Sequence, residues 1–230
     1  MSTNSPLRSR FSLLMLPLAG LLAFFGLILR GPLGNPSVNP SGFAQSAASA
    51  NFGIGWIIIL LGSVVRIYSF MVLFGLLGMT RAGRLAFWAL VLSFVSEALF
   101  LSLTGILAFT APVAGRLYLQ GDPRMLNVLM AGFFSGPALA LLYPSGLIGT
   151  VGSVLFFMAI WRSNLPVWAG VWYALTTPLL AFAPAFSYVL ELLGGLLLLV
   201  STTWLARAAW RQTARETTSR TGQSSMIGSI

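Results

Sequence analysis

The sequence predicts an all-α fold, a multi-pass transmembrane helical bundle of six spans plus one short interfacial or partly inserted helix. Three observations carry this. The 230 residues are 57% hydrophobic and only 7% charged, whereas a soluble domain carries about 25% charged residues. Apolar runs of about 18 residues or more recur along the chain, as membrane helices require. The runs do not alternate apolar with polar residues, as the strands of a membrane barrel would.

The first ten residues are polar, hold Arg8 and Arg10, and read as a cytoplasmic N-terminal segment. The apolar run at about 11–29 is the first span. Its core is too long for a signal peptide, and the small-residue stretch SAASA at 46–50 lies too far on to be a cleavage site, so it reads as an uncleaved anchor. Residues 31–52 carry no charge and repeat Asn-Pro-Ser, a turn-forming pattern, so they read as a short capping loop.

The second span covers about 54–78 and the third about 85–110, joined by a tight connector with Arg81 and Arg84. Asp122-Pro123 reads as a helix cap followed by a first-turn proline. It opens a helix at 123–135 that Gly136-Pro137 ends. Thirteen residues rise only about 20 Å, too little to cross comfortably. Three further spans lie at about 138–161, 167–186 and 187–206, so the bundle occupies 11–206. Residues 207–230 form a basic tail with a disordered end.

Arginine placement decides between six and seven crossings. With six, both termini are cytoplasmic, and Arg8, Arg10, Arg81, Arg84, Arg162 and the tail arginines share that side. Arg30, Arg116 and Arg124 then lie outside. The expected location is a bacterial-type cytoplasmic membrane. Trp88, Trp161, Trp168 and Trp204 fall at cytoplasmic ends, and Trp56, Tyr118 and Tyr188 at outer ends, as aromatic belts would.

The missing residue types narrow the chemistry. There is no His, Cys or Lys, and the only acids are Glu97, Asp122, Glu191 and Glu216. Disulfides, Cys or His metal sites, His-ligated haem, lysine Schiff bases and Ser-His-Asp triads are therefore excluded. No metal and no cofactor is expected. The net charge of +9 sits between spans and in the tail, which points to anionic lipid headgroups at the cytoplasmic face and not to nucleic acid. Arg207, Arg211 and Arg215 form an i, i+4, i+8 stripe, the lipid-binding candidates, with a soluble docking partner as the other reading.

Arg66 lies near the middle of the second span and Glu97 near the middle of the third. A lone charge at a helix centre costs about 2.5–3.5 kcal/mol on insertion scales. The two spans are antiparallel neighbours, and the two charges lie equally far from the turn, so an Arg66–Glu97 ion pair is expected. Ser63 and Ser69 share the line of Arg66, and Ser93, Ser96 and Thr104 share much of the face of Glu97. Ser63 and Ser93 join the pair as site candidates. Glu191, one turn into the last span, is either a helix-start carboxylate favoured by the dipole or a third member of a cavity opening outward. Gly146, Gly149 and Gly152 suit close helix packing. Pro178 and Pro184, with Thr176 and Thr177, suggest a kink whose freed carbonyls hydroxyls could satisfy.

The segments WRSNLPVWAG at 161–170 and FVSEALF at 94–100 resemble a bacterial family of six-span membrane proteins classed only as a domain of unknown function. That resemblance implies a fold and a location over most of the chain, and no activity or site. Three functions stay open. The leading expectation is a non-enzymatic scaffold or accessory protein with a membrane-protein partner or a second copy of itself. The alternative is a small-solute transporter with its site around Arg66 and Glu97. A membrane-embedded enzyme is third, because no motif presents a nucleophile. A packed seam around Arg66 would favour the scaffold, and a cavity reaching it would favour transport.

Overall fold

The computed structural model describes residues 11–134 and 137–227, with the side chains of the last helix described as far as Gln212. The N-terminal segment at 1–10, Ser135 and Gly136 at the end of the expected helix 123–135, and the Arg215 side chain fall outside what is described. Among the described residues there is no strand, and six helices are long and apolar enough to cross a membrane. The protein is an all-α multi-pass membrane bundle.

The helices are α1 (Met15–Arg30), α2 (Pro40–Ala48), α3 (Ala50–Gly78), α4 (Gly83–Leu119), α5 (Arg124–Leu129), α6 (Pro137–Trp161), α7 (Val167–Phe182) and α8 (Tyr188–Ile227). A π-helical turn, Met130–Phe134, follows α5, and a 3-10 turn, Ala183–Ala185, follows α7. The spans are α1, with its helical lead-in from Phe11, and α3, α4, α6, α7 and α8.

The six spans close a ring. Each packs chiefly against two others, in the order α1, α3, α4, α6, α7, α8 and back to α1. The ring turns its apolar side chains outward, where lipid replaces water. Phe25, Leu61, Val64, Phe94, Ile106, Leu147, Val151 and Leu193 are all exposed. Lipid tails give no hydrophobic drive between helices, so close backbone approach has to hold the ring. Gly20 and Gly55 supply it on the two sides of α1. A methyl group on Gly20 would come within 2.5 Å of the Leu199 Cα, and one on Gly55 would collide with the Arg30 backbone nitrogen.

On the side of the α3–α4 turn the ring is plugged. Phe70, Leu73, Leu77, Phe156, Ile160, Tyr173 and Leu205 form one packed cluster there. Phe70 stacks on Phe156 with centroids 6.1 Å apart, and Tyr173 meets Phe156 edge-on. The opposite side is capped more loosely, by α2, α5 and the π turn, around Phe43, Phe52, Leu107, Leu126 and Phe133.

Several local expectations are corrected. The uncharged 31–52 segment is not only a loop, since it contains α2. The Asn39 side chain caps α2 by accepting from the Gly42 N–H at 2.9 Å, and Pro40 takes the first turn. The Ser49 side chain caps α3, which therefore begins at Ala50 and not near 54. Helix α4 runs on to Leu119, 37 residues or about 55 Å at 1.5 Å per residue. That exceeds the ~30 Å apolar layer, and the excess packs against α2. Pro112 lies inside α4 without ending it.

The helix expected at 123–135 divides into the six residues of α5 and the π turn. Pro123 takes the N-cap position, and the Asp122 carboxylate accepts the Arg124 N–H at 3.0 Å. Hydrogen bonds from the Arg124 backbone and then its side chain hold the Asp122 carboxyl below its ordinary pKa. The basic tail continues α8, and its polar end, expected to be disordered, is helical as far as Ile227. Residues 207–216, rich in Ala, Arg, Gln and Glu, are good helix formers that extend a turn already nucleated, and the helix carries on into the Ser- and Thr-rich end.

Candidate functional site

Arg66 on α3 and Glu97 on α4 face each other, with Nη1 and Oε2 3.6 Å apart. That is an ion pair, but it exceeds the usual N–H···O hydrogen-bond length. The guanidinium reaches across the ring as well, since Nη2 donates to the Thr177 hydroxyl of α7 at 3.2 Å. Its face lies over the Phe70 ring, with Cζ 5.7 Å from the centroid. Among the described residues, Arg66 Nε and Glu97 Oε1 are buried and have no hydrogen-bond partner in the protein. A buried unpaired polar atom costs about 1–3 kcal/mol, more when charged.

A second pair sits at the other end of the interior. Arg30, in the last turn of α1, meets Glu191, in the first turn of α8. The Nη2–Oε2 distance is 2.5 Å, with side chains 3% and 5% exposed. Both charges complement their helix dipoles, a cation at a C-terminus and a carboxylate at an N-terminus. Arg30 Nε also donates to the Gly31 carbonyl at 3.0 Å, and its guanidinium lies 5.1 Å from the Trp56 ring centroid. Tyr188 donates to the Leu27 carbonyl at 2.9 Å, tying α8 to α1 beside the pair. Trp56 is therefore buried inside the ring and is not part of an outer aromatic belt.

Both pairs line one cavity of about 370 Å³. Arg66, Glu97, Ser63, Ser96 and Thr177 stand at its inner end, where the aromatic plug begins. Arg30, Glu191, Trp56 and Asn35 stand toward the capped side. Its lining residues that are exposed, Gly34, Asn35, Tyr143 and Ala185, belong to that capped side too. The cavity is a vestibule open at one face and closed at the other. Leu27, Ile59, Phe100, Leu107, Leu142 and Leu180 give it apolar walls.

The polar seam read from the sequence is divided. Ser63 and Thr104 reach the vestibule, as does Ser96, whose hydroxyl donates to the Ser145 carbonyl at 2.9 Å while Ser145 donates back at 3.1 Å. Ser93 does not reach it. It is buried against Gly152, where α4 and α6 approach closely. Ser69 turns to α1 and donates to the Met15 carbonyl at 2.8 Å. Gly149 and Gly152 seat Ser96 and Ser93 across the α4–α6 contact, while Gly146 faces Ala181 and Phe182 of α7.

The kink expected in α7 is satisfied from a neighbouring helix. Pro178 leaves the Ala174 carbonyl without its helical partner, and the Ser153 hydroxyl of α6 shares its one proton between that carbonyl at 3.2 Å and the nearer Thr150 carbonyl of its own helix at 2.9 Å. Thr176 donates to the Tyr173 carbonyl at 2.7 Å, and Thr177 accepts from Arg66. Arg207 and Arg211 are exposed and border an open groove with Trp204.

Arg30 escaped the sequence reading, having been counted only as a charge at an outer loop. Half of the signal was available, in depth but not in neighbourhood. Arg30 ends the first span and Glu191 begins the last, so both lie at one depth, but no tight turn joins the two spans as one joins those of Arg66 and Glu97.

Fold and site together define a class, a six-span helical membrane protein whose ring encloses a charged, one-sided vestibule. No family model, curated protein or solved structure matches this chain.

Proposed function

We propose that this protein binds a small solute in the vestibule, with Arg66 and Glu97 as the polar contacts, and moves it across a bacterial-type cytoplasmic membrane. The observation that carries this reading is the cavity reaching the midspan pair. A scaffold built around a register-fixing pair needs a packed seam there instead. The Arg30–Glu191 pair, in full contact, suits a structural role at the vestibule wall, so the scaffold reading keeps that pair and loses the inner one. The arginine bias orients the capped side outward and both termini inward, so the solute enters from outside. The aromatic plug of Phe70, Phe156 and Tyr173 then forms the closed inner gate. We propose too that the chain belongs with the six-span bacterial family that segments 94–100 and 161–170 resemble, which implies the same fold and location.

The chain has no cysteine, so a single introduced thiol is a clean probe. Ser63→Cys should react with a small, uncharged, hydroxyl-bearing thiol reagent that crosses membranes poorly, added outside intact cells. Ser93→Cys, packed between helices, should not. An unreactive Ser63→Cys in folded protein would sink the vestibule reading and favour the scaffold.

A further inference from the structure

We infer that the vestibule's ligand is an uncharged amphiphile, with an amide, alcohol or protonated-acid head that donates one hydrogen bond and accepts one, and an apolar body. This deepens the proposed binding role and rests on it.

Charge balance is the first argument. The charged residues lining the cavity are Arg30, Arg66, Glu97 and Glu191, two cations and two anions, so the interior sums to zero. An ion entering alone would bring a net charge into a low-dielectric space, at a penalty of several kcal/mol per ion. An uncharged head incurs no such penalty.

The open hydrogen-bonding positions are the second. Arg66 Nε–H is a donor and Glu97 Oε1 an acceptor, and neither has a partner among the described residues. The Glu97 side chain is only 5% exposed. Both atoms belong to an ion pair whose two residues line the cavity, and both are buried in its wall, so one small head meets them as the two side chains turn toward it. A carbonyl or hydroxyl oxygen accepts from Nε, and an N–H or O–H donates to Oε1. An ammonium would bring three donors to one open acceptor, and a carboxylate would bring no donor at all.

Shape is the third. Volumes of about 300–1,000 Å³ suit small organic ligands, and this one, at about 370 Å³, lies near the lower bound. Leu142 and Leu180 continue the apolar wall from the pair toward Tyr143, which lines the cavity and is 48% exposed on the outer surface of α6. The body of the ligand lies along that wall.

The test uses the full chain carrying Ser63→Cys in lipid nanodiscs at neutral pH. Three probes of equal length, hexanamide, hexanoate and hexylammonium, compete with the uncharged thiol reagent. Hexanamide should slow labelling at concentrations about tenfold below those the two ions need, since one factor of ten is only 1.4 kcal/mol against an ion penalty of several. Equal or better protection by either ion overturns the inference and leaves the solute-binding reading standing. Labelling that none of the three slows also overturns it, as a vestibule holding water only. A thiol that never reacts removes both. As a second measurement, Glu97→Gln leaves the interior with one excess positive charge, and its preference should shift toward hexanoate. A retained hexanamide preference in that variant would contradict the charge-balance argument.

Discussion

Arg30 and Glu191 stand 161 positions apart in the chain and 2.5 Å apart in space, closing the ring between the first and last spans. Removing one member strands the other's charge in an enclosed site. Arg30→Met and Glu191→Leu should each destabilise by about 3–5 kcal/mol. The double variant should lose less than the sum, with a coupling toward the upper end of about 0.5–3 kcal/mol. Reversible unfolding in bilayer discs measures all four corners of the cycle. Additive losses would show that the contact contributes nothing.

The Arg66–Glu97 cycle should give a weaker coupling, toward the lower end of the same ~0.5–3 kcal/mol range. The pair is 3.6 Å apart, and Arg66 shares its charge with Thr177 and the Phe70 ring. An apolar double replacement should fold well and lose hexanamide protection. A coupling equal to that of Arg30–Glu191 would show the inner pair to be a structural clamp instead.

What the sequence could show followed from what it encodes locally. Span number comes from hydropathy over about 18 residues, and the pairing of Arg66 with Glu97 from equal distance to a tight turn, both properties of adjacent segments. Ring closure is different. Arg30 meets Glu191 only because α1 packs beside α8, and no local pattern says which distant spans are neighbours. The fate of Ser93 turned on a few tens of degrees of helix rotation, too fine for a face drawn from periodicity, so the same α4 face delivered Ser96 to the vestibule and Ser93 to the Gly152 contact. The cavity could not be read at all, since volume is what packing leaves unfilled. Helix α2, by contrast, was legible in Asn39-Pro40, an N-cap and first-turn proline that also resembles a plain turn.

The Ser153 hydroxyl, bonded to the Thr150 carbonyl at 2.9 Å, also reaches at 3.2 Å the Ala174 carbonyl whose N–H partner Pro178 lacks. Ser153→Ala should therefore remove this shared hydrogen bond and cost about 0.5–1.5 kcal/mol. In a Pro178→Ala background the helix regains its own donor, and the same serine replacement should cost well under that. The measurement is the unfolding free energy of the two singles and the double. An unchanged serine cost in the alanine background would refute the substitution argument.

Gly55→Ala tests how tightly α1 must seat. The new methyl collides with the Arg30 backbone, and overpacking of this kind costs about 1–3 kcal/mol. Because the displaced residue is Arg30, the Arg30–Glu191 coupling should fall in the same variant. Gly75→Ala, with open space around it, is the control and should be nearly silent. A full-strength ion-pair coupling in Gly55→Ala would mean that α3 yields instead of α1.

The arginines at the end of α8 test orientation and lipid contact together. Arg207 and Arg211 are exposed beside Trp204, one turn beyond the apolar run, where a headgroup layer would lie. Each near-surface arginine attracts an anionic leaflet by about 1 kcal/mol, an attraction that salt screens within a Debye length of about 10 Å at 0.1 M. Discs of mixed neutral and anionic lipid should show anionic lipid enriched around the full chain, with the enrichment fading as salt rises. Arg207→Gln with Arg211→Gln should remove most of the salt-sensitive part and leave the fold intact. Unchanged enrichment would redirect the stripe toward a protein partner. A reporter fused after residue 206 should be active only in the cytoplasm. Periplasmic activity there would invert the frame, placing the arginine stripe on the side where anionic lipid attraction and the positive-inside bias both argue against it.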